Sequence, residues 1–190
     1  MVVARKQKAI ETKEKLLQAA ISALRRQGVH ALTLDAVARE ARVSKGGLLH
    51  HFPSKDALSE AILRQLFGGF EARVQAYYDA EPPAPCRWLR AYVRATYEED
   101  PLPLELVTLL LVAVAENRDL LRLIQEDTER WQQRLANDGV PAARATVVRQ
   151  AADAHWTERL IDPAYGDEAS RQAVMEDLLQ LSREPRCPLP

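Results

Sequence analysis

The chain has 190 residues, 47% of them apolar and 28% charged, with 26 Lys+Arg against 27 Asp+Glu and a formal charge of -1. That suffices for one large domain or two small ones around a packed core, while the longest apolar run, near Leu109 to Ala115, falls far short of the ~20 residues of a membrane span. The N-terminus MVVARKQKAIETKEK is cationic without an apolar core, so no secretory signal is visible and a cytoplasmic protein is expected.

The near balance of charge hides an asymmetry. Residues 1–64 carry 12 Lys+Arg and 6 Asp+Glu, a net of +6, whereas residues 65–190 carry 14 and 21, a net of -7. A basic third on an otherwise acidic chain is the electrostatic footprint of nucleic-acid binding, with a merely solvated basic surface as the other reading. Cys86 and Cys187 have no CxxC or Cys/His spacing, which argues against a zinc site and for two reduced thiols.

Nearly every long segment has helical spacing, so the chain reads as all-α. A first helix is expected from about Lys8 to Gln27, with Ile10, Leu17, Ile21 and Leu24 as its apolar stripe and Gly28 as its left-handed cap. Thr33 is placed to cap a short helix holding Leu34, Val37, Ala38 and Ala41, with Asp35 in its first turn. Ser44 caps another short helix reaching Phe52, Pro53 and Ser54 stop and restart the chain, and a long helix runs from Lys55 to about Ala80.

Three helices within about sixty residues, the middle two closely joined, form a helix-turn-helix unit whose second helix enters the DNA major groove. Gly46 and Gly47 at the start of that helix cost helix stability, up to about 1 kcal/mol each, but leave room for a duplex to approach the helix N-terminus.

Beyond the EPPAPC break, further helices are expected at about Arg87–Glu99, Leu104–Ala115, Asn117–Asp138, Ala142–Ile161 and Asp167–Ser182, about nine in all. Gly139 and Pro141 close the third of these, and the tail REPRCPLP is expected to fray.

The stretch LTLDAVAREARVSKGGLLHHFPSKDALSEAIL, residues 32–63, resembles the TetR-type one-component transcriptional regulators. Its most specific part has Val43, Ser44, Lys45, Gly46, Leu48, His51, Phe52, Ser54, Lys55 and Leu58 at the family's spacing. The resemblance implies an N-terminal helix-turn-helix DNA-binding domain, 1–54, and a larger C-terminal helical domain, 55–190, that holds a small ligand and dimerises. It also implies a homodimer on a palindromic double-stranded DNA operator. Two positions depart from the family: Arg42 stands where Gly is usual in the turn, and Leu49 where Tyr is usual in the recognition helix. Arg42 is expected to carry strain or to reach a phosphate, and Leu49 to meet a thymine methyl.

The DNA-binding candidates are thus Thr33, Arg42, Ser44, Lys45, Gly46, Gly47, Leu49, His50 and Lys55. Thr33 and Ser44 serve as caps and as phosphate donors, while His51, Phe52, Val37 and Leu48 are expected to pack the small domain. Trp88, Tyr92 and Trp131 are candidates for an apolar effector pocket, against the rival reading of plain core. Val148, Ala152, His155, Trp156, Val174 and Leu178, on the last two helices, are candidates for a dimer interface by analogy. No cofactor or metal is expected. Without HExxH, GxSxG or a phosphate-binding loop, an enzyme is not expected either. The chain therefore reads as a repressor released from its operator by a small-molecule effector, or as an interaction module of the same fold that has lost DNA reading through Arg42 and Leu49.

Overall fold

A computed structural model describes residues 2–28, 32–97, 108–109, 111–112, 115, 117–162 and 166–183. It holds the helices α1 (Val2–Gln27), α2 (Leu34–Glu40), α3 (Lys45–His51), α4 (Lys55–Ala80), α5 (Arg87–Tyr97), α6 (Arg118–Ala136), α7 (Ala142–Ile161) and α8 (Glu168–Arg183), and no strand among the described residues. Most of the helix expected at Leu104–Ala115, and Cys187, lie outside the described residues. Two compact units divide the chain, one within Met1–Leu66 and Pro103–Leu121, the other within Phe67–Leu102 and Arg122–Pro190.

In the first unit α1 begins at Val2, two turns earlier than its apolar pattern foretells. Its buried stripe is Leu16, Ala19, Ala20, Ala23 and Leu24, whereas Ile10 is 45% exposed and Leu17 and Ile21 are half-buried. The earlier turns are held by local bonds, Gln7 to Glu11 and Thr12 to the carbonyl of Lys8. Gly28 ends the helix with a φ of 74° and its N–H on the carbonyl of Leu24.

Thr33 Oγ1 accepts from the N–H of Ala36 at 3.2 Å and opens α2. Ser44 Oγ and Ser54 Oγ do the same for α3 and α4, each at 3.1 Å. Leu32, Val37, Leu48, Leu58 and Ile62 are fully buried and give these short helices a common core. Packing is what holds them, since seven-residue helices are not stable alone.

In the second unit α5 is buried on nearly every side, through Leu89, Arg90, Ala91, Tyr92, Val93, Ala95 and Thr96, and packs on α7 and α8. The EPPAPC break before it is fastened by Arg90, whose Nε donates to Glu81 and whose Nη1 donates to the carbonyl of Pro85, both at 2.7 Å. Asp138 accepts from the N–H of Leu89 at 2.8 Å, and its own carbonyl accepts from the N–H of Cys86 at 2.6 Å. Gly139 beside it has a φ of 88°, and a Cβ there would meet Pro85 at 3.3 Å. Deeper in, the Tyr92 hydroxyl donates to Asp153 at 2.6 Å. Arg149 binds the other oxygen of the same carboxylate, at 2.6 Å, together with Gln132, which ties α5, α6 and α7.

His155 on α7 is buried and stacks on Tyr97 with 4.4 Å between ring centroids. Burial, aided by the positive charges of Arg159 and Arg171 and opposed by Glu168, lowers its pKa from 6.5 to about 4. The folded state therefore refuses a proton that the unfolded chain accepts. The stability due to the neutral ring is fully present above about pH 6.5 and is lost as the pH falls toward about 4. Urea unfolding across that window should show a loss of about 2–3 kcal/mol, and His155→Phe should remove most of the slope.

Candidate functional site

The region between Thr33 and Lys55 is built on one local device, the turn from α2 to α3. The N–H of Val43 reaches the carbonyl of Ala38 at 3.0 Å and the N–H of Arg42 reaches that of Arg39 at 3.1 Å, the paired bonds of a Schellman ending. Such an ending places one residue in the left-handed region, and here it is Arg42, with a φ of 54°. The turn keeps its geometry without glycine and carries the strain in Arg42.

That turn sets which face of α3 points outward. Leu48 and Phe52 are buried, while Ser44, Lys45, Gly46, Gly47, Leu49 and His50 are exposed together with Arg42. A Cβ on Gly46 would meet nothing within 4 Å, and one on Gly47 would meet only Ser44 Oγ at 3.2 Å, so packing does not demand a glycine at Gly46. His51 is half-buried, and burial, then the charges of His50 and Lys13, holds its imidazole below the ordinary value. Lys13 Nζ lies 5.8 Å from the centroid of Phe52.

Lys45 forms an exposed pair with Asp35, Nζ to Oδ2 at 3.1 Å, of a kind worth about 1 kcal/mol or less. Lys55 is the exposed first residue of α4. The hydroxyls of Thr33 and Ser44 already accept cap bonds, which leaves their O–H free to donate.

The three aromatic candidates of the second unit fall into two adjoining groups. Phe70, Tyr92 and Trp131 meet edge to face, with centroids 5.1–5.8 Å apart, and Trp131 Nε1 is buried without a hydrogen-bond partner among the described residues. Trp88 instead stacks on Tyr78 at 3.9 Å, and the Arg134 guanidinium lies over both Trp88 and Trp131 at 4.7 and 4.9 Å. A separate cleft of about 140 Å³ runs between α7 and α8 and is lined by Ala151, Ala154, His155, Glu158, Ser170 and Val174 among others, none of the three aromatic candidates. No cluster of three or more potential metal ligands occurs among the described residues.

Four of the expected interface residues are already buried within the single chain. Val148 and Ala152 have no exposed surface, and Leu178 and His155 keep only 5% and 6%, all within a single chain. They bury chiefly against their own unit. The outward stripe of α7 lies one residue away, at Val147 (60% exposed), Ala151, Ala154 and Ile161 (74%), and α8 adds Val174 (46%) and Leu181 (40%). Of the original set, Val174 is exposed and Trp156 half-buried. The sequence holds apolar residues in both stripes, and only the placement of α5 says which one faces inward.

Two family models match the chain. The model for bacterial regulatory proteins of the tetR family covers residues 16–62, and the tetracyclin repressor-like C-terminal domain covers residues 86–183, more than half of the chain. The chain belongs to the TetR family. It is also 36% identical over 95 residues to the regulator RutR of Escherichia coli K12, a match covering 50% of this chain and 44% of RutR. The chain thus spans less than half the length of the first relatives it matches. The regulator BetI of Burkholderia thailandensis is 25% identical over 181 residues, 90% of this chain and 93% of BetI. A solved transcriptional regulator of Rhodococcus sp. Rha1 superposes with a TM-score of 0.76 at 21% identity, over 89% of this chain and 94% of that one.

Within this TetR fold the strained turn is open to direct test. Arg42→Gly should stabilise the chain by about 0.5–1 kcal/mol in urea unfolding, because glycine takes the left-handed conformation without steric cost.

Proposed function

We propose that the chain is a cytoplasmic, homodimeric transcriptional repressor. Two copies of α3 read a palindromic double-stranded DNA operator, and a small apolar or mildly polar effector in the second unit releases it. The observation that carries this reading is the exposed start of α3. Gly46 costs helix stability and fills no packing need, so its use lies in letting a duplex come close. Lys45 and Lys55 supply phosphate contacts, Arg42 a further one, and Thr33 and Ser44 hydroxyl donors, while Leu49 and His50 face the bases.

The intact turn at Arg42 supports DNA reading over the alternative of an adaptor that has lost it, because the departure from glycine leaves the turn's hydrogen bonds in place. The apolar cluster of Phe70, Tyr92 and Trp131 supports an effector with a hydrogen-bond acceptor for the Trp131 N–H, and Trp88 extends that aromatic wall. Coupling of effector to DNA is typically worth 1–3 kcal/mol. For the dimer, the stripe of Val147, Ala151, Ala154, Ile161, Val174 and Leu181 offers an apolar face of two helices suited to pairing with its copy. No helix among the described residues is long and apolar enough to cross a membrane.

Fluorescence anisotropy on duplexes tiled across the protein's own upstream region should find one bound about a thousandfold tighter than random duplex at equal salt. Lys45→Ala with Lys55→Ala should weaken it and flatten the salt slope, by about 1 in each subunit for Lys55 and by less for Lys45, which is already paired with Asp35. Gly46→Ala should raise Kd about tenfold while leaving the fold as stable or more so. Equal affinity for all duplexes, genomic fragments included, would sink the proposal. In sedimentation, Val174→Glu should turn a dimer at micromolar concentration into a monomer.

A further inference from the structure

We infer that the cleft between α7 and α8 is a binding site for a neutral molecule the size of one aromatic ring that carries a hydroxyl group. The site is separate from the aromatic cluster around Trp131, and it stands whether or not the chain is a repressor.

His155, which lines the cleft, is 6% exposed, and no hydrogen bond to either of its ring nitrogens occurs among the described residues. Its equals in burial within the same unit are all bonded. Arg90 holds Glu81 and the Pro85 carbonyl, Thr96 donates to the carbonyl of Tyr92 at 2.9 Å, and Ser182 donates to that of Leu179 at 2.6 Å. A buried polar group without a partner is an exception that calls for an occupant beside it. Tyr97 stacks on one face of the ring, which leaves the nitrogen-bearing edge to meet whatever enters the cleft.

The cleft defines the size and polarity of that occupant. Its 140 Å³ is close to the roughly 150 Å³ of an apolar cavity that takes up one benzene. Tyr97, Ala151, Ala154 and Val174 supply apolar wall. The charges nearby balance, with Arg159 and Arg171 against Glu158 and Glu168, and Arg171 is already engaged by Glu168 and by the Gly166 carbonyl at 2.8 Å. Neither an anion nor a cation is favoured there. The imidazole is neutral, since burial lowers its pKa to about 4, so it offers one donor and one acceptor. A hydroxyl both donates and accepts, and therefore satisfies either tautomer of His155.

Ala151, Ala154 and Val174 also belong to the outward stripe proposed for pairing. That stripe is apolar, so a second copy laid on it brings no hydrogen-bonding side chain to His155, whereas a small hydroxylated occupant does.

Phenol is the probe, titrated into the full-length protein to about 10 mM with a Kd of about 1 mM or tighter expected. The ring-nitrogen resonances of His155 should shift with occupancy, and the indole N–H of Trp131 should not. Benzene, which lacks the hydroxyl, should bind about tenfold more weakly. His155→Phe should make phenol and benzene bind alike, a change that altered packing alone does not produce. Ala154→Leu, at an exposed position on the cleft wall, should abolish binding of both while leaving the helix intact. Benzoate and benzylamine should bind more weakly than phenol.

The same titration on Val147→Glu, which alters the pairing face away from the cleft, removes any closure by a second copy. Binding to this variant alone would still establish the site and would show that pairing seals it. Three results would overturn the proposal: no shift at His155 in either protein, a preference for phenol over benzene that survives His155→Phe, or tighter binding of benzoate or benzylamine than of phenol. Specific DNA binding is not measured in any of these arms, so their failure leaves the repressor reading untouched.

Discussion

The outward surface of the first unit depends on a single backbone turn, in which Val43 bonds back to Ala38 and Arg42 is held at a φ of 54°. That turn fixes the angle at which a seven-residue helix leaves its predecessor. A helix so short has no stability of its own, and Leu48 and Phe52 keep it in place by burying in the core of the unit that also buries Val37, Leu58 and Ile62. With those two side chains turned inward, Lys45, Gly46, Leu49 and His50 have only one direction left to face. The presentation of the site follows from the packing beneath it, and the strain in Arg42 is tolerated because the surrounding core and the two paired bonds specify the turn.

The second unit solves a different problem, that of keeping charged and polar groups inside a helical core. Arg90 is 4% exposed, yet it spends its donors on Glu81 and the Pro85 carbonyl and so clamps a proline-rich loop that has no regular bonding of its own. Tyr92, Asp153, Arg149 and Gln132 form a connected set across three helices. Buried polar sets of this kind add little net stability but penalise any slip of one helix against another, because a slip leaves a carboxylate or guanidinium unpaired. An aromatic cluster packed beside such a set keeps its shape.

The sequence foretold most of the helices and their caps because the relevant signals are local. Thr33, Ser44 and Ser54 each bond a backbone N–H three residues on, and Gly28 takes the left-handed conformation that its position after an apolar stripe suggests. The start of α1 was not legible, since the sequence of residues 2–9 shows no apolar stripe, and Ile10 joins the apolar pattern by spacing while remaining exposed. On α7 the spacing fits two faces equally well, Val147 with Ala151 and Val148 with Ala152, and the choice is made by α5, which is remote in sequence.

The contact between Lys45 and Asp35 bears on how ionic-strength data should be read. In the free protein Lys45 is already close to an anion at 3.1 Å, so a phosphate that recruits it displaces a carboxylate as well as counterions. Added salt loosens both the old pair and the new one. The two effects partly cancel, and a plot of log affinity against log salt then registers less than one full phosphate for this lysine. A count of backbone contacts taken from such a slope comes out smaller than the number of cations that touch the duplex, and the shortfall measures the intramolecular pairs broken on binding.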